Sequence, residues 1–455
     1  MRPFNDSVIY FAVVDRFFNS DPANDNGRSP EAFDASQTDW FKYWGGDLGG
    51  MIQKLDYLKE LGCSSVWLTP LFDQADGLVD VEGRGIAAYH GYWAKDFKRL
   101  DEHLASSPED IRLFASKNTI VDRLVAEMHK KDMRLVLDIV CNHSSPARRP
   151  DVGGGPVKGE IYDDGKLLTS YDDDKLGWYH RNGGVCDWDN KGQVETSELC
   201  GLADFNESHI GYRTYIKDAM RLWLDKGVDA FRVDTVKHMP QWFWQEFVSD
   251  MVFHRPDLFI FGEWFQGGCF DPLSVQFANK SGMGMLDFGV QRGLEDCLAR
   301  GNEQGFALLD KVFSLDHLFD DTRHLVTFID NHDMPRFMSS GAAPARVDMA
   351  LAVILTCRGT PCIYYGTEQY LHNDTNGGAD PYNRPMMEKW DTGTPAFKLV
   401  KNSPGCAART RPCSTAASAG SSCPPTFTPI PACTAPIAVS PFSTGGRKPR
   451  YPWRA

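Results

Sequence analysis

No run of the 455-residue chain is apolar for long enough to cross a bilayer as a helix. Nothing at the start reads as a secretion leader: polar Phe4-Asn5-Asp6-Ser7 follows Met1-Arg2-Pro3, and a strand-like run from Val8 to Val14 comes next. No membrane partner and a cytoplasmic location are therefore expected, unless a leader has been removed. Positive charge is short too. The net charge of −13 argues against nucleic acid as a partner. There is no glycine-rich loop of the kind that cradles phosphate. Cysteine is plentiful, at 12 residues, but a disulfide framework is not expected. Cys63, Cys141, Cys357 and Cys362 sit in or beside apolar, strand-like segments, where free buried thiols are common. A Cys186–Cys200 pair within one loop region is the alternative left open.

What is present is apolar material for a large core, with 42% hydrophobic residues, enough for one core or two to three domains. The 12 Trp, 15 Tyr and 28 Phe suit stacking on sugar rings, although ordinary core packing accounts for most of them. Strand-like runs fall at residues 8–15, 64–69, 134–140, 228–234, 258–263, 285–288, 325–330 and 361–365. Between them, Ile52, Leu55 and Leu58 recur at helical spacing, as do Val121, Leu124, Val125 and Met128. Tyr212, Ile216, Ala219 and Trp223 form a third such face, with Gly227 as the expected helix stop. Strands alternating with helices predict an α/β fold, a (β/α)8 TIM barrel. Residues 144–203, rich in Gly, Asp, Tyr and Trp, are too long for a plain loop and read as a small inserted domain after the third strand. The barrel is then expected over 1–143 and 204–395.

The segment 396–455 is of another composition. No acidic residue follows Asp391, and four cysteines appear between Cys406 and Cys433 among Pro, Ser, Ala and Thr. One reading is a mucin-like or disordered tail. The preferred one is a reading-frame slip: back-translated with GC-rich codons and read from the last base of the Asn402 codon, the tail gives LAGLRRENPALLDG and later RELLPTDVHAYSRV. Both resemble ordinary helix and strand, so a C-terminal β-sandwich is expected to be missing or out of frame. Sequencing the gene across the Asn402 codon tests this.

In a (β/α)8 barrel the chemistry sits where strands end and βα loops begin. The third strand ends in Asp138-Ile-Val-Cys-Asn142-His143, the fourth in Phe231-Arg232-Val-Asp234-Thr-Val-Lys237-His238. The fifth ends in Phe261-Gly262-Glu263-Trp264-Phe265, the seventh in Phe328-Ile-Asp330-Asn331-His332-Asp333. Arg232 and Asp234, two apart, share one side of their strand. Asp138, Asp234, Glu263 and Asp333 are thus brought towards one mouth. Such a set suits glycosidic bond cleavage or a metal cluster. Glycosidases flank the bond with two carboxyl groups, about 5–5.5 Å apart in retaining enzymes. Arg232 should keep Asp234 ionised, while an aromatic setting should raise the pKa of Glu263.

These segments resemble the signature regions of the α-amylase family, in its order and at its strand positions, from Val8 to about Asp391. The resemblance implies Asp234 as nucleophile, Glu263 as general acid/base and Asp333 as the third carboxylate, with Arg232 orienting Asp234. His143 and His332 are similar to histidines that bind the sugar at the cleavage point. Tyr89-His90-Gly91-Tyr92-Trp93 matches another family motif, in which His90 contacts that sugar and Tyr92 stacks beneath it. Within the family the likeness is greatest to cyclodextrin glucanotransferases and maltogenic enzymes. Lys237, His238 and Phe265 resemble their acceptor side, and Asp380 with Arg384 their donor-side clamp. Cys200 stands where cyclising members carry an aromatic ring, which favours hydrolysis or linear transfer. The resemblance also implies Ca2+, held by Asn142, Asp204 and the His238 carbonyl. A second calcium loop would use Asn19, Asp21, Asn24, Asp25, Asp47 and the Gly45 carbonyl; a solvated Asn/Asp turn is the alternative there.

The expectation is a monomeric hydrolase of α-1,4-glucans (starch, glycogen or maltodextrin) with some transglycosylation. A dedicated glucanotransferase is the first alternative. A non-catalytic glucan-binding protein on the same fold is the second, since fold alone never guarantees activity.

Overall fold

In the computed structural model, residues 4, 6–147, 157–302 and 304–403 are described. Eight parallel strands close into a barrel: β1 (Ile9–Ala12), β2 (Ser65–Leu68), β3 (Arg134–Ile139), β4 (Ala230–Val233), β5 (Phe259–Gly262), β6 (Gly284–Leu286), β7 (Leu325–Thr327) and β8 (Thr360–Tyr364). Neighbours around the ring are neighbours in sequence, and β8 pairs with β1 to close it. A helix follows each strand: α1 (Leu48–Leu61), α2 (Ile120–Lys130), α3 (Ile210–Asp225), α4 (Gln241–His254), α5 (Pro272–Lys280), α6 (Phe288–Leu294), α7 (Pro344–Thr356) and α8 (Pro395–Lys401). The expected (β/α)8 barrel is thus the fold. Among the described residues, no helix is long and apolar enough to cross a membrane.

Local chemistry accounts for the helix boundaries. Asp47 caps α1 by accepting from Gly50 N, and Gly62 ends it in the left-handed region. Thr119 and Asp122 form a reciprocal capping box at α2, whose Val121, Leu124, Val125 and Met128 are buried as their spacing predicts. Tyr212, Ile216, Ala219 and Trp223 likewise pack α3 onto the barrel. Between β3 and β4 the chain forms a hairpin, Ile161–Asp163 with Lys166–Thr169, and a short helix, Lys191–Thr196. It returns to the barrel at a bridge pairing His143 with Asp204.

Among the described residues the cysteines form no disulfide, and none joins Cys186 to Cys200, so that alternative is not realised. Cys63, Cys141 and Cys362 are buried thiols, and Cys357 is half-buried. Residues 396–401, expected to begin the aberrant tail, belong to α8, with Ala396, Phe397 and Val400 buried against the core. Of that segment, residues 404–455 lie outside the described residues and so does the reading-frame expectation for them.

Candidate active site

Strand register builds the site. Arg232 on β4 lies level with Asp138 on β3 and Phe261 on β5. Two residues on, Asp234 leaves its strand with its N–H donated to Ile139 O, and Glu263 leaves β5 with its N–H donated to Val233 O. The two carboxylates therefore step off neighbouring strands at the same level. Arg232 joins them. Its Nη1 donates to Asp234 Oδ1 at 2.9 Å and to Asp138 at 2.9 and 3.1 Å, while Nη2 lies 2.8 Å from Glu263 Oε2. Arg232 is fully buried, so its charge acts in a low-dielectric setting.

Asp138 stands at the base of this arrangement and not on the cleft. It accepts from Trp67 Nε1 (3.0 Å), Tyr92 OH (2.8 Å) and Arg232. Burial pushes it up to about 7, against the pull of Arg232. Burial also pushes Glu263 up to about 8; Arg232 pulls back, while the nearby Asp333 and Asp234 charges push further. Glu263 Oε1 is buried without a hydrogen-bond partner, so a proton is at home there. Asp333 is raised to about 7, chiefly by burial, with Arg384 opposing.

The cleft is lined by Tyr92, His143, Leu199, Asp234, Thr235, Lys237, His238, Glu263, Phe265, His332 and Asp333. Nine of these eleven are residues singled out from the sequence. Leu199 and Thr235 are the additions; Thr235 takes a left-handed backbone (φ 50°), unusual for a β-branched residue, immediately after Asp234. Burial pushes His143 down to about 4 and His238 to about 3, and takes His332 well below its usual value. Burial thus favours the neutral form of each imidazole; His238 Nδ1 lies 3.2 Å from the Val194 carbonyl oxygen and His143 Nδ1 3.3 Å from Asn142 Nδ2. Tyr92 stacks on His332, ring centroids 5.2 Å apart.

Three predicted substrate contacts lie behind this lining. His90 is buried beside Trp93, its Nδ1 accepting from Tyr92 N at 3.0 Å. It thus shapes the Tyr92 segment. Asp380 and Arg384 pair at 2.9 Å, and Arg384 Nε donates to His332 O while Nη2 reaches Asp333 Oδ1 at 3.4 Å. Tyr89, 3.2 Å from Arg384 Nη1, also packs on the guanidinium of Arg16, which is sandwiched between Tyr89 and Trp44. The clamp thereby fixes the loop that carries His332 and Asp333. Cys200 does not line this cleft; Leu199 does.

Among the described residues no group of three or more His, Cys, Asp or Glu is arranged as a metal site. The oxygen-rich sets expected for calcium still fit a hard cation. Asp204 is buried, its Oδ2 at 2.8 Å from His180 Nδ1 and its Oδ1 without a hydrogen-bond partner. The His143–Asp204 bridge brings Asn142 alongside it. In the N-terminal loop, a Cβ on Gly45 would sit 2.5 Å from Asp25 Oδ1 and 2.4 Å from Asn19 Nδ2, so both close over that glycine. Asp47 is occupied as the α1 cap and by Ser20 and Asp21 N–H groups. Asp21 caps Ala23 N, and Asn24 Nδ2 turns to Ala105 O.

Residues 11–401 match the model of the α-amylase catalytic domain. A cyclomaltodextrin glucanotransferase of Niallia circulans is 36% identical over 402 residues, covering 88% of this chain and 53% of that protein. An α-amylase of the same organism is 36% identical over 87% of this chain and 72% of its own. Among solved structures, a cyclomaltodextrin glucanotransferase with a three-domain ABC distribution superposes with a TM-score of 0.80 at 41% identity, covering 87% of this chain and 78% of that one. The Geobacillus thermoleovorans α-amylase complexed with acarbose gives a TM-score of 0.68 at 28% identity, covering 90% and 80%. The chain spans about half the length of several curated relatives it matches.

Proposed function

The chain belongs to the α-amylase family, and from that premise we propose that it is a retaining glycosidase acting on α-1,4-linked glucans. The observation that carries this is the single buried guanidinium of Arg232 holding Asp234 on one side and a proton-retaining Glu263 on the other. Such a pair suits double displacement. Glu263 protonates the glycosidic oxygen as Asp234 attacks the anomeric carbon, forming a β-linked glucosyl-enzyme and releasing the leaving sugar. Glu263, now ionised, takes a proton from water or a sugar hydroxyl, which attacks the same carbon and restores the α configuration. Asp333, which contacts Arg384 and His332, would hold hydroxyls of the sugar being cleaved.

A second reading, linear or cyclising transfer, is favoured by Phe265 and Lys237 in the cleft lining, where an acceptor sugar would displace water. Incubation with maltoheptaose separates the two. Shorter sugars alone mean hydrolysis, longer or cyclic sugars mean transfer, and no product at all would sink both.

The raised pKa of Glu263 sets an alkaline limit. The acid must carry its proton for the first step, so kcat/KM on a natural glucan is expected to fall as pH rises through about 8. With α-glucosyl fluoride, whose leaving group needs no proton, that limb should flatten. Identical limbs on both substrates would count against Glu263 as the acid.

Calcium is common among enzymes of this family. Here Asn142, Asp204 and the His238 carbonyl would hold one ion, and the loop around Asn19, Asp25 and Gly45 a second. A bound ion would pin the chain between β3 and β4 to the rim that carries His143 and His238. Calcium is therefore expected to raise the unfolding temperature, and Asp204→Asn to remove most of that gain. A temperature unmoved by either calcium or chelator would overturn the assignment.

A further inference from the structure

Past the end of β7 the sequence turns to polar and turn-forming residues, Asp330-Asn331-His332-Asp333-Met334-Pro335. Backbone groups there have no ladder to join and must find partners elsewhere. Residues 328–343, between β7 and α7, accordingly form neither helix nor strand. The loop first closes on itself. Asp330 Oδ2 accepts from Phe337 N and Asn331 Oδ1 accepts from Asp333 N, both at 2.9 Å. The carbonyls on either side of Asp333 are left for another segment to satisfy.

Asn383 satisfies both. Fully buried, its Nδ2 donates to His332 O at 2.7 Å and to Met334 O at 2.9 Å. Two carbonyls call for the nitrogen of an amide, so chemistry dictates which way the group points. Its Oδ1 is buried without a hydrogen-bond partner, so the amide is held by its two N–H groups. The loop grips Asn383 in return. Buried Arg336 donates from Nε to Asn383 O at 2.9 Å and from Nη1 to Tyr365 O at 2.6 Å. Its guanidinium also lies 4.0 Å from the ring of Tyr364, the last residue of β8, so the clasp is anchored on the barrel.

The contacts of the Asp333 carboxylate itself are longer. Oδ1 is 3.4 Å from Arg384 Nη2 and Oδ2 is 3.4 Å from His332 Nε2, against about 2.7–2.9 Å for charge-assisted hydrogen bonds. Its place at the cleft is therefore set through the backbone on either side of it.

We propose that Asn383, which does not line the cleft, is a positioning residue: its amide sets where the Asp333 carboxylate meets the sugar. This rests on the glycosidase reading of the site. Removing the amide frees the peptide planes on both sides of Asp333, and a carboxylate that must meet hydroxyls in the transition state loses its register.

A double-mutant cycle tests this, with kcat and KM measured on α-maltosyl fluoride for the full chain, Asn383→Ala, Asp333→Asn and the two combined. In the parent background Asn383→Ala should lower kcat by about 100-fold and change KM little. In the Asp333→Asn background the same substitution should cost no more than about twofold, because the group it positions is already lost. Equal losses in the two backgrounds overturn the proposal, as does a parental kcat in Asn383→Ala. Asn383→Asp keeps the volume of the amide but sets an oxygen against the two carbonyls. It should show the same dependence on background, and it carries the cycle if the alanine variant does not fold. Failure of both variants to fold also overturns the proposal, since it would make Asn383 part of the framework. An unsubstituted chain that leaves α-maltosyl fluoride intact refutes the glycosidase reading itself.

Discussion

Asp234→Asn is expected to lower turnover of α-1,4-glucans by about 10⁴-fold or more while leaving glucan binding close to that of the parent. The substitution is nearly isosteric. The amide oxygen it introduces can still accept from Arg232 Nη1, in place of the bond that Asp234 Oδ1 makes at 2.9 Å, so neither the β4 terminus nor the guanidinium need move. What is lost is the charge that attacks the anomeric carbon. An amide oxygen does not form the glucosyl-enzyme, and no other carboxylate stands in its place: Asp138 is committed to Trp67, Tyr92 and Arg232, and Asp333 to the Arg384 side. Single-turnover rates and retardation by amylose in native gels, on the same preparation, check both halves. Turnover within tenfold of the parent would remove Asp234 from the nucleophile's role.

Much of this site was legible because strand ends carry the chemistry and strands announce themselves. Runs of β-branched and aromatic residues marked all eight barrel strands, and the residues that follow β3, β4, β5 and the β7 segment supplied most of the cleft. Boundaries were less legible where distant partners decide them. The first strand was expected to run to Asp15, but β1 stops at Ala12 and Val14–Arg16 turns into a 3-10 helix. There the Asp15 carboxylate accepts from Trp44 and Gly45 N–H, and Arg16 is held between Trp44 and Tyr89. No local pattern encodes those contacts. The sixth strand was expected to reach Phe288, yet Asp287 caps Val290 and starts α6, a signal that a search for helix caps would have caught.

The same distinction separates the residues on the cleft from those behind it. His90 and Tyr92 are two apart in one motif, but only Tyr92 reaches the lining, since His90 is turned back to hold the Tyr92 N–H. Leu199 and Thr235 enter the cleft through the packing of the β3–β4 segment and a left-handed turn, neither of which has a periodic signature. Sequence therefore located the chemistry better than it located the walls.

Arg232→Met should damage both catalysis and folding, and the two losses should be separable. Methionine matches much of the arginine stem but leaves Asp138, Asp234 and Glu263 without their shared cation. Removing one partner of a buried ion pair costs about 3–5 kcal/mol, and a fall of that size in denaturant-derived stability is expected at pH 8. The sign of its pH dependence follows from burial. Asp138 and Glu263 already bind protons more tightly in the folded chain than unfolded, at about 7 and about 8. Without Arg232 both rise further, so the folded state holds more protons than the unfolded one. Its stability then falls as pH climbs from the unfolded carboxyl value through the folded one. The deficit should accordingly be small near pH 4 and grow towards pH 8 and above. Asp138→Asn added to Arg232→Met removes one of the stranded charges while an amide oxygen still accepts from Trp67 and Tyr92. Part of the stability should return, as a coupling energy in the double-mutant cycle. Activity should not return, because Asp234 and Glu263 still lack the group that orients one and sets the other's proton affinity. A double variant that regains turnover along with stability would mean that Arg232 serves the fold alone.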